Sequence, residues 1–190
     1  AGMGADLIDS YIASVVAAMI IGAATFKTNV TFVILPLLIA AGGILASIIG
    51  MIFIKIVKRD NPGAALNRGT FLTCFIFAVL TFLIIYSLSI GEQGLGVFYA
   101  AVSGLIAGMV IGITTDFFTS IDRTPVLKTA EAAKTGAAIN ILSGFSYGII
   151  SIVPPIIGIC AATLASWYLA EMYGVPNVYG VAISAVGMLS

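Results

Sequence analysis

Near its start the chain sets two carboxylates and a hydroxyl in one short stretch, Gly2-Met3-Gly4-Ala5-Asp6-Leu7-Ile8-Asp9-Ser10-Tyr11. On a helix, residues three apart are separated by about 60° around the axis. Ser10 stands one turn beyond Asp6, so the three side chains face the same way. Two carboxylates close together in a low dielectric resist simultaneous ionisation, and such a pair can hold a proton or, with the hydroxyl, coordinate a small cation. For Na+ this stretch offers too few oxygens by itself, so other helices would complete the shell. Residues 7–24 carry no charge other than Asp9, and a run of this length can cross a bilayer. A carboxylate inside a span is costly, and nearly always faces a bundle interior, a water-filled cavity or an ion path. The alternative is that both acids lie at the membrane interface and complement a helix N-terminus.

Two further groups could carry chemistry. The stretch from Thr115 to Gly136 mixes both charge signs and contains Arg123, Lys128 and Lys134. One reading is a solvated connection with a short helix over 127–133, starting shortly after Pro125. The other is that the three basic side chains help to hold a phosphate near the cytoplasmic face. Farther on, Gly136, Asn140, Ser143, Tyr147 and Ser151 recur at three-to-four-residue spacing. Polar side chains at that period usually bond a neighbouring membrane helix, and lining an ion path is the second option.

The elements that position these groups are set by composition. Of the 190 residues, 61% are hydrophobic and 8% charged, and the mean hydropathy is +1.18, which marks an integral membrane protein. Eight basic and eight acidic residues cancel, so nothing argues for a nucleic-acid partner. There is no His, which removes the commonest metal ligand and neutral-pH general base. Cys74 and Cys160 fall in apolar runs without a CxxC partner and read as small buried hydrophobes. The first segment lacks the basic n-region of a signal peptide.

With roughly 20 residues as the ruler, five full apolar spans and one truncated span can be drawn at 5–24, 32–54, 70–90, 97–118, 137–169 and 178–190. The expected fold is an all-α, polytopic transmembrane helix bundle, because every backbone amide in lipid needs an internal partner and the alternation of barrel strands is missing. The fifth span exceeds one perpendicular crossing, and Pro154-Pro155 near its middle predicts a kink, a tilt or an extension past the bilayer. Gly104, Gly108 and Gly112, and again Gly144 and Gly148, form GxxxG repeats that read as helix contacts. Ser10, Ala13, Ser14, Ala17 and Ala18 continue the trend on the first span and predict an inner helix. Lys55, Lys58, Arg59, Arg68, Arg123, Lys128 and Lys134 fall on one side and Lys27 on the other. The positive-inside rule then puts the N-terminus and the loops 55–69 and 117–135 in the cytoplasm. The last apolar run stops partway, and the chain reads as a piece of something longer. A bundle of this kind also suits a secondary transporter, a channel or a non-catalytic membrane subunit.

Several motifs together carry a resemblance. Gly2-Met3-Gly4-Ala5-Asp6-Leu7-Ile8-Asp9-Ser10-Tyr11, Thr115-Asp116-Phe117-Phe118-Thr119-Ser120 leading to Arg123-Thr124-Pro125-Val126, Lys134-Thr135-Gly136-Ala137-Ala138-Ile139-Asn140, and Pro154-Pro155 resemble the membrane-integral, ion-translocating pyrophosphatases. The resemblance runs in order over all 190 residues and includes Gly187-Met188-Leu189-Ser190. It implies a homodimer of sixteen-helix subunits, six inner helices in each surrounding the active site and ion path. The activity it implies is hydrolysis of magnesium pyrophosphate coupled to export of H+, Na+ or both. On this basis the chain corresponds to most of the sixth helix, the seventh to tenth, and the start of the eleventh. The resemblance places Asp6 in the ion gate, with Ser10 beside it. At Asp9 the family usually has Glu where an acid occurs, so the carboxylate here is set back by one methylene. Mg2+ and pyrophosphate would be held by acidic motifs on the fifth helix and on later ones, and any K+ requirement would depend on a later helix. The resemblance therefore assigns no catalytic or metal-binding residue to this stretch and predicts no hydrolysis from it alone.

Overall fold

Seven helices follow one another in the computed structural model, which describes residues 2–27, 29–56 and 62–189, the side chains of 3 and 62–67 excepted. They are α1 (Gly2–Thr25), α2 (Val30–Ile56), α3 (Pro62–Ser87), α4 (Glu92–Thr119), α5 (Thr124–Ala132), α6 (Ala137–Met172) and α7 (Asn177–Leu189). Among the described residues there is no strand. Five helices among the described residues are long and apolar enough to cross a membrane, and the architecture is an all-α polytopic bundle. Such a chain must be helical because a backbone N–H or C=O facing lipid has no water to bond.

The expected spans coincide with helices, most of which begin or end a few residues outside the apolar runs. The exception is the third, which stops at Ser87, short of position 90. There Ser89 and Gly91 take positive φ values of 48° and 73° and reverse the chain into α4. The short helix in the charged stretch starts earlier than expected, at Thr124, with Pro125 in its first turn. Proline is favoured there, since its missing N–H would have had no partner. α6 is assigned as helix through Pro154-Pro155 for 36 residues, about 54 Å at the usual rise, so it must tilt or protrude from a hydrocarbon core of about 30 Å. It ends where Gly174 (φ 67°) lets the Val175 amide donate to the Ala170 carbonyl at 2.9 Å, an αL termination that satisfies a terminal carbonyl.

α7 packs against four other helices, α1, α2, α4 and α6. It runs in the same direction as α4: Gln93 Nε2 donates to Gly174 O at 3.2 Å, and Ser103 and Ser184 hydroxyls lie 3.4 Å apart. Glycines make that approach possible. A Cβ on Gly104 would lie 1.9 Å from the Ser184 carbonyl oxygen, one on Gly108 2.8 Å from that of Met188, and one on Gly187 2.4 Å from that of Ala101. The GxxxG reading therefore holds for Gly104 and Gly108. Gly112 and Gly148 have nothing within 4 Å, and Gly144 meets only the Thr129 methyl at 3.8 Å, so those three mark no close helix crossing among the described residues.

Because the atoms opposite Gly104 are backbone and cannot swing aside, Gly104→Ala is expected to cost about 1–3 kcal/mol or more. Gly158→Ala, whose Cβ would meet Ile111 at an ordinary 3.6 Å, is expected to be near neutral. Thermal unfolding of the two variants, followed in detergent by size-exclusion recovery, checks the ranking.

Candidate functional site

α1 has one packed face and one open face, and the acids are on the open one. Tyr11, Val15, Ala18 and Gly22 turn toward the bundle, and the Tyr11 hydroxyl donates to the Ala40 carbonyl of α2 at 3.0 Å. Asp6, Asp9 and Ser10 are exposed, as are Ala13 and Ala17, while Ser14 and Ala18 turn toward the neighbours. At about 100° per residue, Asp6 and Asp9 stand on the side away from Val15 and Ala18. The structure thus brings Asp6, Asp9 and Ser10 onto a single face and gives them no hydrogen-bond or ion-pair partner among the described residues. Beyond Asp6 that face carries the small residues Ala13 and Ala17, with Val16 and Ile20 exposed beside them, and the small ones leave room for another helix to come close.

Of the basic residues of the charged stretch, Arg123, Lys128 and Lys134 are all exposed. Arg123 is the N-cap of α5, and its guanidinium lies over the Phe117 ring, 5.9 Å from the centroid. No ion pair involves the three among the described residues. Lys58 and Arg59 lie outside the described residues.

The polar series on α6 faces the underside of α5. Asn140, Tyr147 and Ser151, with Gly144 and Gly148, line a cavity of about 510 Å³ closed on the other side by Phe118, Pro125, Val126 and Thr129. The Oδ1 atom of Asn140 is enclosed there without a hydrogen-bond partner. Ser143 is half-buried, Gly136 is exposed, and neither lines the cavity.

A second cavity, of about 540 Å³, lies among α2, α3, α4 and α7. Asp116, Ser47, Thr73, Cys74, Gly108 and Gly112 are among its walls. The sequence reading grouped Asp116 with the charged loop, whereas α4 continues to Thr119 and places it in the last helical turn, half-buried. The signal for this was the spacing of Gly108, Gly112 and Asp116, all one turn apart. Among the described residues no three His, Cys, Asp or Glu side chains gather as a metal site.

Along its whole length, residues 1–190, the chain matches the family model described as inorganic H+ pyrophosphatase. The chain belongs to that family. It is 40% identical over 204 residues to a Bacteroides thetaiotaomicron protein provisionally named a K+-stimulated pyrophosphate-energized sodium pump, covering all of this chain and 28% of that protein. It is 36% identical over 199 residues to the K+-insensitive pyrophosphate-energized proton pump 2 of Moorella thermoacetica, with all of this chain and 29% of the relative covered. A third relative, the K+-stimulated pyrophosphate-energized sodium pump of Thermotoga maritima, is 28% identical over 215 residues, covering 98% of this chain and 29% of its own length. The chain thus spans just over a quarter of the length of the curated relatives it matches.

An exposed cation over an aromatic face is worth about 0.5–1 kcal/mol. Arg123→Ala is accordingly expected to lower stability by no more than about that amount and to leave α5 in place. Helix content by circular dichroism together with a chemical-denaturation midpoint tests this.

Proposed function

We propose that, within a full-length subunit, this chain forms part of the ion gate and several surrounding helices of a pyrophosphate-energised pump. The parent enzyme hydrolyses magnesium pyrophosphate and exports H+, Na+ or both. The observation that carries the reading is the open face of α1: Asp6, Asp9 and Ser10 share it, face no described neighbour, and continue into small residues. An acid pair costs least in a membrane where it meets water, a cation or a basic partner. In this arrangement α1 is an inner helix whose acids complete a conduit with helices from the rest of the subunit. Asp6 holds the transported ion or proton, and Asp9 and Ser10 add oxygens beside it.

Hydrolysis belongs to residues of the parent beyond these 190, which would hold Mg2+ and pyrophosphate and, in K+-dependent members, K+. The parent assembles as a homodimer in the lipid bilayer. Arg123, Lys128 and Lys134 serve the cytoplasmic surface, where each can approach a phosphate as it arrives. The N-terminus of α1 and the loops 55–69 and 117–135 face the cytoplasm, in keeping with seven basic residues on that side against Lys27 on the other.

In the full-length parent reconstituted into vesicles, Asp6→Ala is expected to abolish ion transport or to separate it from hydrolysis. Pyrophosphate consumption and ion uptake are measured on the same vesicles. Wild-type values of both would dismiss Asp6 from the gate. Asp9→Glu, which advances the carboxylate by one methylene, is expected to keep transport and to change the ratio of H+ to Na+ carried. A variant with an unaltered ratio would show that Asp9 does not set ion choice.

A further inference from the structure

A proline inside a helix removes one N–H, and its ring displaces the carbonyl four residues earlier. In α2 that proline is Pro36, which is buried, and the carbonyl is that of Phe32. Phe32 O consequently has no α-helical donor, in a region where lipid supplies none either. The hydroxyl of Tyr179 on α7 donates to it at 2.6 Å, and this bond, spanning 147 residues of sequence, is buried. Tyr179 itself has no exposed surface. α1 approaches the same atom, since a Cβ on Gly22 would lie 2.9 Å from Phe32 O and 3.1 Å from Tyr179 Cε2. Phe26, just past the end of α1, stacks on the Phe32 ring at 4.0 Å and meets Tyr179 edge-on at 5.3 Å. One carbonyl oxygen is therefore the meeting point of α1, α2 and α7.

We propose that Tyr179 is a positioning residue whose phenol replaces the amide hydrogen that Pro36 removes, joining α7 to α2 and seating α1 between them at Gly22. Gly22 is sixteen residues from Asp6, about 24 Å along the helix, so this contact fixes α1 at the end far from its acids, while the Tyr11 bond to Ala40 holds it nearer them. A helix held there keeps its open face, and hence the carboxylates, at a set angle to the rest of the subunit. The positioning half of this proposal rests on the gate reading above; the hydrogen-bond half does not.

The test is a double-mutant cycle in the full-length parent with Tyr179→Phe, Pro36→Ala and the double variant. Tyr179→Phe keeps the ring and removes only the donor. It is expected to speed thermal inactivation roughly ten-fold, the loss expected for one uncompensated buried acceptor. In the Pro36→Ala background residue 36 again has an N–H for Phe32 O, so adding Tyr179→Phe is expected to change the rate less than about two-fold. If the loss is equal in both backgrounds, or absent from both, the phenol does not stand in for the missing amide and the proposal falls. Pro36→Leu serves the same purpose should the alanine variant fail to fold. The second readout is ions transported per pyrophosphate hydrolysed, expected to drop in Tyr179→Phe and to recover in the double variant. A ratio unchanged while the stability cycle is positive overturns the seating of α1. Failure of Asp6→Ala to affect transport would remove the gate and leave the stability cycle as the deciding result for the hydrogen bond.

Discussion

In lipid, a helix gains little by exchanging hydrocarbon tails for apolar side chains, so adhesion depends on how closely two backbones approach and on the polar groups they can share. The contact between α4 and α7 is built on that constraint. Gly104, Gly108 and Gly187 each leave out a Cβ where a carbonyl of the facing helix passes. Gly180 does the same against α6, where a Cβ would lie 2.4 Å from that of Ala170. With α7 held on two sides, α1 and α2 take their positions from it, through Gly22 and the Tyr179 hydroxyl. On α6, by contrast, large apolar side chains face outward: Ile141, Leu142 and Phe145 are about seven-tenths exposed.

The backbone polar groups follow a related logic. Pro36 breaks the ladder of α2 at one carbonyl, and the repair comes from α7, much later in the chain. A hydroxyl paired with a carbonyl in a dry site does more than fill space, because leaving either atom alone costs on the order of 1–3 kcal/mol. It also specifies one arrangement of three helices, since a slip of either partner separates donor from acceptor. The Tyr11 bond to Ala40 adds a second fixed point between α1 and α2, nearer the acids. The two tyrosines thus join α2 to α1 and to α7.

The open face of α1 is the counterpart of this tightly held interior. Membrane helices seldom carry carboxylates without an assigned neighbour, and here the side with the acids is the one turned away from α2 and α7. The same is true of much of α6, whose buried residues are confined to Ala162, Ser166 and Ala170. Two helices with unfilled faces are consistent with a chain that spans just over a quarter of its relatives' length. In the proposed pump, the first such face meets an ion path.

Sequence by itself determined the helices and their order, because runs of about 20 apolar residues have only one economical backbone solution in lipid. It also pointed to Asp6, Asp9 and Ser10 as one surface, since helical spacing fixes the angle between residues three and four apart. Which surface of α1 packs was decided by the tertiary structure, as small residues occur on both sides and only the positions of α2 and α7 distinguish them. The same holds for glycine: Gly104 and Gly112 are alike in the sequence, yet only the former meets a neighbouring backbone. Asp116 became a cavity residue because α4 runs past it, and Tyr179 became the donor for Phe32 because folding carries α7 alongside α2. Local periodicity encodes direction around one axis; it holds no information about which axis lies beside it.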